Sequence, residues 1–254
     1  MGAKSTRSRE RPGGEVPTND QDARGRRDEL AANLKSVRRR VEAACAAAGR
    51  DAAEITMIAV TKTFPASDVR LLAELGVVDI GENRDQEASP KAAACADLPL
   101  TWHFVGQLQT NKTRSVAMYA GVVHSVDRPR LVTALSAAAV RAGRDLRCLV
   151  QVALDDDPAR GGARRADVPR LAALIASADG LELGGVMAVA PLDADPAPAF
   201  ADLADVAAAV RAEHHAATII SAGMSGDLEQ AIAHGATHVR VGTALLGGRR
   251  AIVR

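Results

Sequence analysis

A lysine stands at the end of a short apolar run, residues 55–60. The run continues into Thr61, Lys62 and Thr63, and Pro65 ends it. A lysine at the end of a buried strand extends its ammonium group to water, pairs with an acid, or takes part in chemistry. A lysine amine whose pKa is lowered attacks carbonyl carbons and forms a Schiff base. Lys62 is therefore the candidate nucleophile of this sequence.

Two loops rich in small residues, near the end of the chain, could bind a phosphate group. The first has the sequence SAGMSG, residues 221–226, and leads into a predicted helix. The second contains Gly242 and Thr243. Small residues let the backbone approach an anion, and N–H groups at the start of a helix point at it. Each loop alone is typical of an ordinary turn, but the two together favour a phosphate site.

An amine that captures carbonyls and a phosphate site together indicate pyridoxal 5′-phosphate (PLP), an aldehyde with a phosphate group. Arg240 lies two residues before Gly242 and so shares its face of the strand. Arginine only donates hydrogen bonds, so opposite the pyridine nitrogen it would keep that nitrogen unprotonated and the ring a weak electron sink. Burial and the charge of Arg240 would both lower the pKa of Lys62. A solvated or ion-paired arginine at a strand end is the alternative.

Eight short apolar runs alternate with helical segments rich in Ala and Leu. The runs are nearly continuous, which is typical of parallel strands buried on both faces and joined by helical crossovers. We predict strands at residues 55–60, 77–81, 102–106, 122–126, 148–154, 183–189, 218–222 and 238–245. Predicted helices include residues 67–75, 85–96, 129–142, 167–176, 200–213 and 228–233.

Eight such units predict an α/β protein of the (β/α)₈ TIM-barrel class. In this fold the functional groups lie at the carboxyl ends of the strands, and phosphate sites are frequently built after strands seven and eight. A doubly wound open sheet is the alternative. No GxGxxG sequence follows a predicted strand, so a dinucleotide-binding fold has no support.

The N-terminal part of the chain divides into a tail and a helix. Apolar residues recur at steps of three and four within residues 28–49, which predicts an amphipathic helix. Residues 1–27 are rich in Arg, Gly, Pro, Asp and Glu and are expected to form a disordered tail. We therefore expect a single domain over residues 28–254.

The composition excludes several classes of protein. A formal net charge of +1 and an aromatic content of 2% argue against nucleic acid as a partner. No apolar run is long enough to span a bilayer, so we expect no membrane partner. Cys45, Cys95 and Cys148 are scattered, so they indicate neither a disulfide framework nor a metal site. A reducing compartment, the cytoplasm, fits this pattern.

Seven stretches of the sequence match motifs of one family in the order in which the family carries them. They are IAVTKTFP, DIGENRDQE, WHFVGQLQTNK, HSVDR, GGVMAVAP, SAGMSGDLEQAI and VRVGTALLG. On these motifs the chain resembles the pyridoxal phosphate homeostasis proteins, the YggS/PROSC family. The resemblance covers nearly all of residues 28–248, and residues 1–27 lie outside it.

The resemblance implies a single barrel of the alanine racemase N-terminal type, known as fold type III. It implies that PLP is held as a Schiff base on Lys62. It also implies that Arg240 faces the pyridine nitrogen and that Asn83 lies beside the cofactor ring.

The resemblance also implies the phosphate ligands, which are Ser221, Gly242 and Thr243. Ser225 and the backbone of Met224 are further candidates. His103 matches the family as well, either as another cofactor contact or as a packed, hydrogen-bonded histidine. The segment 153–165 departs from the family, because Ala153 replaces an asparagine and Arg160 lies near the position of a lysine.

The function could be that of a carrier or of an enzyme. A two-base racemase needs a second proton donor on the other face of the cofactor, which a tyrosine of a C-terminal domain supplies in two-domain racemases. This sequence ends at Arg254, directly after the eighth unit, and its only tyrosine, Tyr119, falls away from the predicted site. We therefore expect no second domain and no enzymatic role beyond trivial racemase or transaminase side activity.

The predicted function is intracellular PLP homeostasis by a monomer, through storage, buffering or delivery of PLP to PLP-dependent apo-enzymes. A PLP-dependent amino-acid racemase or lyase is the alternative. A Schiff-base aldolase acting on a phosphorylated sugar would also use a lysine and phosphate loops, without PLP.

Overall fold

Eight parallel strands close into a barrel in the computed structural model, which describes residues 19–155, 157, 160–191 and 194–248. Each strand pairs with the next along the chain, and β1 pairs with β8 to close the barrel. The strands are β1 (Thr56–Val60), β2 (Asp79–Glu82), β3 (Thr101–Phe104), β4 (Val122–Val126), β5 (Leu146–Gln151), β6 (Leu181–Met187), β7 (Ile219–Ser221) and β8 (His238–Val241). The predicted (β/α)₈ fold is confirmed.

Helices connect the strands and cover the outside of the barrel. They are α1 (Asn19–Ala47), α2 (Ala66–Glu74), α3 (Asp85–Ala94), α4 (Thr113–Tyr119), α5 (Pro129–Ala142), α6 (Val168–Ala176), α7 (Pro196–Glu213), α8 (Leu228–Ala233) and α9 (Thr243–Leu246). Local sequence sets the bounds of α5, because a proline occupies its first turn and Gly143 ends it in the left-handed conformation at φ 62°. None of the described helices is both long and apolar enough to cross a membrane.

The apolar residues form two layers. The larger one lies between the strands and the surrounding helices and is built mainly from Ala, Val, Leu and Ile. The smaller one lies inside the barrel, where Val122, Leu149 and Met187 pack together. The three cysteines are buried and free.

The eighth strand is shorter than predicted. The sequence suggested a strand over residues 238–245, but β8 ends at Val241 and α9 follows. Gly242 turns the chain with φ −110° and ψ −84°. Leu245 and Leu246 are then fully buried in the core that α1 also enters, so burial explains their apolar character without a strand.

The N-terminal helix is longer than predicted. It begins at Asn19, so the prediction of a disordered tail is wrong for residues 19–27. The other residues of that tail lie outside the described part of the chain. Arg26 explains the extension, because it is buried and donates hydrogen bonds to Asp68 of α2 and to the carbonyl oxygen of Leu246. Its guanidinium also lies 5.5 Å from the ring centroid of Phe64. Composition alone does not show such tertiary contacts.

We expect Arg26→Ala to lower the free energy of unfolding by about 3 kcal/mol, because it leaves the buried carboxylate of Asp68 without its partner. Arg27→Ala is the matched control. Its ion pair with Glu74 is exposed, so its loss should cost less than about 1 kcal/mol. Urea unfolding followed by circular dichroism measures both values. Equal losses in the two variants would contradict the structural role of Arg26.

Candidate functional site

A cavity of about 480 Å³ opens at the carboxyl ends of the strands. Its lining comes from the ends of β1 and β8 and from the segments that follow β1, β2, β3, β6, β7 and β8. Seven of the nine candidate residues line it: Lys62, Asn83, Met224, Ser225, Arg240, Gly242 and Thr243. The structure thus brings together residues that are far apart in the sequence, from Lys62 to Thr243.

The donors around this cavity suit an anion with a carbonyl group. Among its described lining residues, only Lys62 and Arg240 carry ionisable side chains, and none is a carboxylate. The hydroxyl groups of Thr63, Ser225 and Thr243 add neutral donors. The arrangement can therefore bind a phosphate group and present a primary amine to an aldehyde.

Lys62 lies in a tight turn after β1. The N–H group of Phe64 donates to the carbonyl oxygen of Thr61 at 3.0 Å, and Thr63 has a φ of 69°. This left-handed conformation is unfavourable for a β-branched residue and is typical of constrained functional sites. The backbone N–H of Thr63 is held by the carboxylate of Glu87 at 2.9 Å. Because the turn leaves the strand direction, Lys62 is exposed, and the burial predicted for it is wrong.

A buried ion pair supports both Lys62 and Asn83 from below. Lys91 of α3 donates to Glu82 and, at 2.8 Å, to the carbonyl oxygen of Thr61. The hydroxyl of Thr61 donates to the same carboxylate at 2.6 Å. Burial raises the pKa of Glu82, while hydrogen bonds from Lys91 and Thr61 oppose that change. Since Thr61 precedes Lys62 and Glu82 precedes Asn83, one ion pair ties the two site residues together.

Sequence reasoning did not find this ion pair. Glu82 is part of the GEN motif and Lys91 lies in the predicted helix at residues 85–96, but no sequence pattern joins the two residues. The signal that was available is the acidic residue Glu82 directly after the predicted strand at residues 77–81. A buried carboxylate requires a partner, and the helix that follows is the nearest source of one.

Asn83 depends on a glycine in the next loop. A Cβ atom at Gly106 would lie 2.1 Å from the carbonyl oxygen of Asn83, which is far inside contact distance. Only glycine lets the chain after β3 pass this closely over the end of β2.

Arg240 places a buried positive charge at the cavity. Its Nη1 donates to the carbonyl oxygen and the hydroxyl of Ser221, both at 2.7 Å, and its Nη2 donates to the carbonyl oxygen of Ala188 at 2.8 Å. Burial lowers the pKa of Arg240 to about 10, and the negative charge of Asp227 opposes that change. The side chain is therefore still protonated at neutral pH. It is paired in register with Ile58 of β1, the strand that leads to Lys62.

Ser221 and His103 lie inside the barrel and do not line the cavity. The hydroxyl of Ser221 contacts Arg240 and lies 3.0 Å from Nδ1 of His124. His103 lies between His124 and Asp79, at 2.9 and 3.0 Å, as a packed, hydrogen-bonded histidine. A direct contact of Ser221 with phosphate stays a prediction, and the structure gives this residue a different neighbour.

The two predicted phosphate loops are joined to each other. The backbone N–H of Ala244 donates to the hydroxyl of Ser225 at 3.3 Å, which links the loops after β7 and β8. The backbone N–H of Met224 donates to Asp227 at 2.5 Å. Since that N–H already has an acceptor, Ser225, Gly242 and Thr243 are the better candidates for phosphate.

The divergent segment 153–165 contacts the rim of the cavity. Arg160 donates to Asp155 at 2.6 Å and to the carbonyl oxygen of Val189 at 3.0 Å, and Val189 lines the cavity. The arginine that departs from the family pattern therefore braces the loop after β6.

The family model of the alanine racemase N-terminal domain matches residues 26–250. A curated relative, the pyridoxal phosphate homeostasis protein of Mycobacterium tuberculosis, is 47% identical over 244 residues, which cover 89% of this chain and 95% of that protein. PipY of Synechococcus elongatus, whose structure was determined with PLP bound, is 34% identical with a TM-score of 0.76. That similarity covers 86% of this chain and all of PipY, 100%.

A more distant neighbour shows the fold alone. The alanine racemase of Streptomyces lavendulae is 20% identical with a TM-score of 0.68, over 89% of this chain and 58% of the racemase. The chain belongs to the family of the alanine racemase N-terminal domain and, within it, to the pyridoxal phosphate homeostasis proteins. The resemblance inferred from the motifs is confirmed.

We expect Lys91→Met to lower the free energy of unfolding by about 3 kcal/mol at pH 7, because Glu82 is left charged and buried without its partner. The loss should shrink as the pH falls, since the raised pKa of Glu82 lets its carboxyl group take up a proton in the folded state. Urea unfolding at several pH values between about 5 and 8 measures this dependence.

Arg70→Met is the control for that experiment. Arg70 pairs with Asp97 at 2.7 Å and both side chains are exposed, so its removal should cost much less than that of Lys91 at any of these pH values. The double variant Lys91→Met/Glu82→Gln should recover part of the loss, because the uncompensated charge is gone. A loss that does not change with pH would contradict the buried ion pair.

Proposed function

We propose that this chain binds PLP in the 480 Å³ cavity and serves PLP homeostasis by storing, buffering or delivering the cofactor. The single observation that carries the proposal is the pairing of a primary amine and a buried guanidinium around a cavity whose described lining contains no carboxylate. The homeostasis proteins of the same family and the PLP-bound PipY structure support it.

The residues present fit this cofactor. When bound, PLP supplies an aldehyde that a lysine amine captures reversibly as an imine. Lys62 is the amine that we assign to this task, and Asn83 is assigned to the edge of the ring. Ser225, Gly242 and Thr243 would hold the phosphate. Met224, whose N–H donates to Asp227, lines the cavity beside them, and Ser221 acts indirectly by accepting hydrogen bonds from Arg240.

Two features of the cavity bear on the choice between a carrier and an enzyme, and the first is Arg240. Its guanidinium only donates hydrogen bonds, so it cannot accept a proton from a ring nitrogen or give that nitrogen a proton. A neutral pyridine is a weaker electron sink than a protonated one, which disfavours reactions such as transamination, although PLP enzymes use either an acid or an arginine at this position. Two-base racemisation also needs a second acid–base group, and Lys62 is the only candidate among the described lining residues.

Tyr119 does not supply the second group. It packs edge-on against Trp102, with ring centroids 6.4 Å apart, and is absent from the lining of the cavity. Burial raises the pKa of Tyr119 above its ordinary value. Because alanine racemase shares this fold, a PLP-dependent racemase or lyase is the second candidate function.

The remaining parts of the proposal concern the cellular setting. We propose that the protein acts as a monomer in the cytoplasm and passes PLP to PLP-dependent apo-enzymes, with neither nucleic acid nor a membrane as partner. The free, buried state of the three cysteines is compatible with a reducing compartment.

Adding PLP to the purified protein should produce a visible absorption band, and borohydride should fix the cofactor on the peptide that contains Lys62. Lys62→Ala should lose the band and the label, because no other lysine lines the cavity among the described residues. Lys112→Ala is the control and should keep both. A protein that takes up no PLP, or a label on another lysine, would overturn the assignment. Sustained interconversion of D- and L-alanine, lost in Lys62→Ala, would favour the racemase.

Arg240→Glu should shift the visible band of the loaded protein and raise side transamination, because a carboxylate favours a protonated pyridine. Arg240→Gln, which removes the charge without reversing it, is the second variant in case the buried carboxylate prevents folding. Spectra, PLP titration and transamination assays measure the effect in protein whose circular dichroism is native. If affinity and spectrum stay as in the wild type in a folded variant, Arg240 does not face the ring.

A further inference from the structure

A line of hydrogen bonds crosses the inside of the barrel from the cavity to its opposite end. It runs from Arg240 through Ser221, His124 and His103 to Asp79, with distances of 2.7, 3.0, 2.9 and 3.0 Å. We call these five residues the interior relay. They come from five different strands, β8, β7, β4, β3 and β2.

The two ends of the interior relay lie at opposite ends of the barrel. Arg240 lines the cavity at the carboxyl ends of the strands. Asp79 is the first residue of β2 and lines another opening together with Thr56 and Met57, at the beginning of β1. Between them, Ser221, His124 and His103 are buried, whereas the side chain of Asp79 is 25% exposed.

The donors and acceptors of the interior relay allow one direction when both histidines are neutral. Asp79 only accepts, so His103 donates from Nε2 and accepts at Nδ1. His124 must then donate from Nε2 to His103 and accept at Nδ1. The hydroxyl of Ser221 donates to that Nδ1 and accepts from Arg240, which only donates.

The surroundings support a neutral ring at His124. Burial is the largest cause that holds the pKa of His124 well below its ordinary value, which favours a neutral ring. Among the described residues, no carboxylate forms an ion pair with Arg240, so the relay gives this buried cation its hydrogen-bonded connection to a carboxylate.

We propose that Ser221, His124, His103 and Asp79 are positioning residues that act through the interior relay to hold the guanidinium of Arg240 in place. The role of Arg240 at a cofactor ring rests on the proposed function, but the relay itself does not. Ser221 is the direct link, because its carbonyl oxygen and its hydroxyl both accept from Nη1 of Arg240. Asp79 fixes the orientation of that hydroxyl from the far end.

Nitrogen NMR of the histidine rings tests the direction of the relay in the full chain at pH 8 without added PLP. We expect both His103 and His124 to carry their proton on Nε2, with assignments from His103→Gln and His124→Gln. A proton on Nδ1 of His124, or a doubly protonated ring, would overturn the proposed direction. This result stands whether or not the chain binds PLP.

Substitution of Asp79 tests the positioning of Arg240. Asp79→Leu removes the acceptor at the far end, so the Nη hydrogens of Arg240 should exchange with solvent about three- to tenfold faster, the factor expected from loss of one net hydrogen bond. Asp79→Asn should restore slow exchange, because its amide oxygen still accepts from His103. If the wild type binds PLP, Asp79→Leu should also shift the visible band of the loaded protein.

His238→Gln is the matched control. His238 is another histidine inside the barrel, with its ring centroid 6.4 Å from that of His103, but it pairs with Thr237 at 2.9 Å and is not part of the relay. The His238→Gln substitution should leave the exchange rate of the Nη hydrogens of Arg240 within about twofold of the wild-type rate. Equal exchange in the wild type, Asp79→Leu and Asp79→Asn would overturn the positioning role. Failure of the wild type to bind PLP would overturn only the proposed function.

Discussion

The burial of one positive charge organises the cavity end of this barrel. Arg240 is 5% exposed, and a charged group in such a place requires hydrogen bonds on every side. Carbonyl oxygens at Ala188 and Ser221, just after β6 and at the end of β7, supply two of them, and the hydroxyl of Ser221 supplies another. The positions of three neighbouring strands are thereby tied to one guanidinium. A cation fixed in this way is preorganised for an electron-rich partner and needs no rearrangement when that partner binds.

The lysine side of the cavity is built on a different device. Here a strained turn at Thr63 carries Lys62. Lys91, paired with Glu82, holds the backbone before it, and the carboxylate of Glu87 holds the N–H group of Thr63 after it. Strain of this kind persists only where the surrounding structure enforces it. The result is a mobile type of side chain, a lysine, displayed from a backbone that has little freedom. This combination suits an amine that must capture and release an aldehyde.

The same barrel serves racemases and homeostasis proteins, so the fold alone does not determine the chemistry. The difference lies in what surrounds the cofactor site. A cavity with one amine, one permanent cation and no carboxylate in its described lining can bind and hold an aldehyde with a phosphate group. Apart from Lys62, the described lining contains no side chain that could act as a general acid or base near neutral pH.

The sequence by itself determined the barrel, the family and most of the cavity. Near-continuous apolar runs predict parallel strands, and in a barrel their carboxyl ends must meet, so the positions of Lys62, Asn83, Arg240 and Thr243 along the chain were enough to place them together. Local patterns did not reveal contacts between distant elements. Arg26 has the sequence context of a polar tail, but it pairs with Asp68, and Leu245 continues a strand-like run, but it packs in the core beside α1. Only the tertiary structure showed that Ser221 and His103 belong to the interior of the barrel, because closing the sheet decides which strands face each other across it.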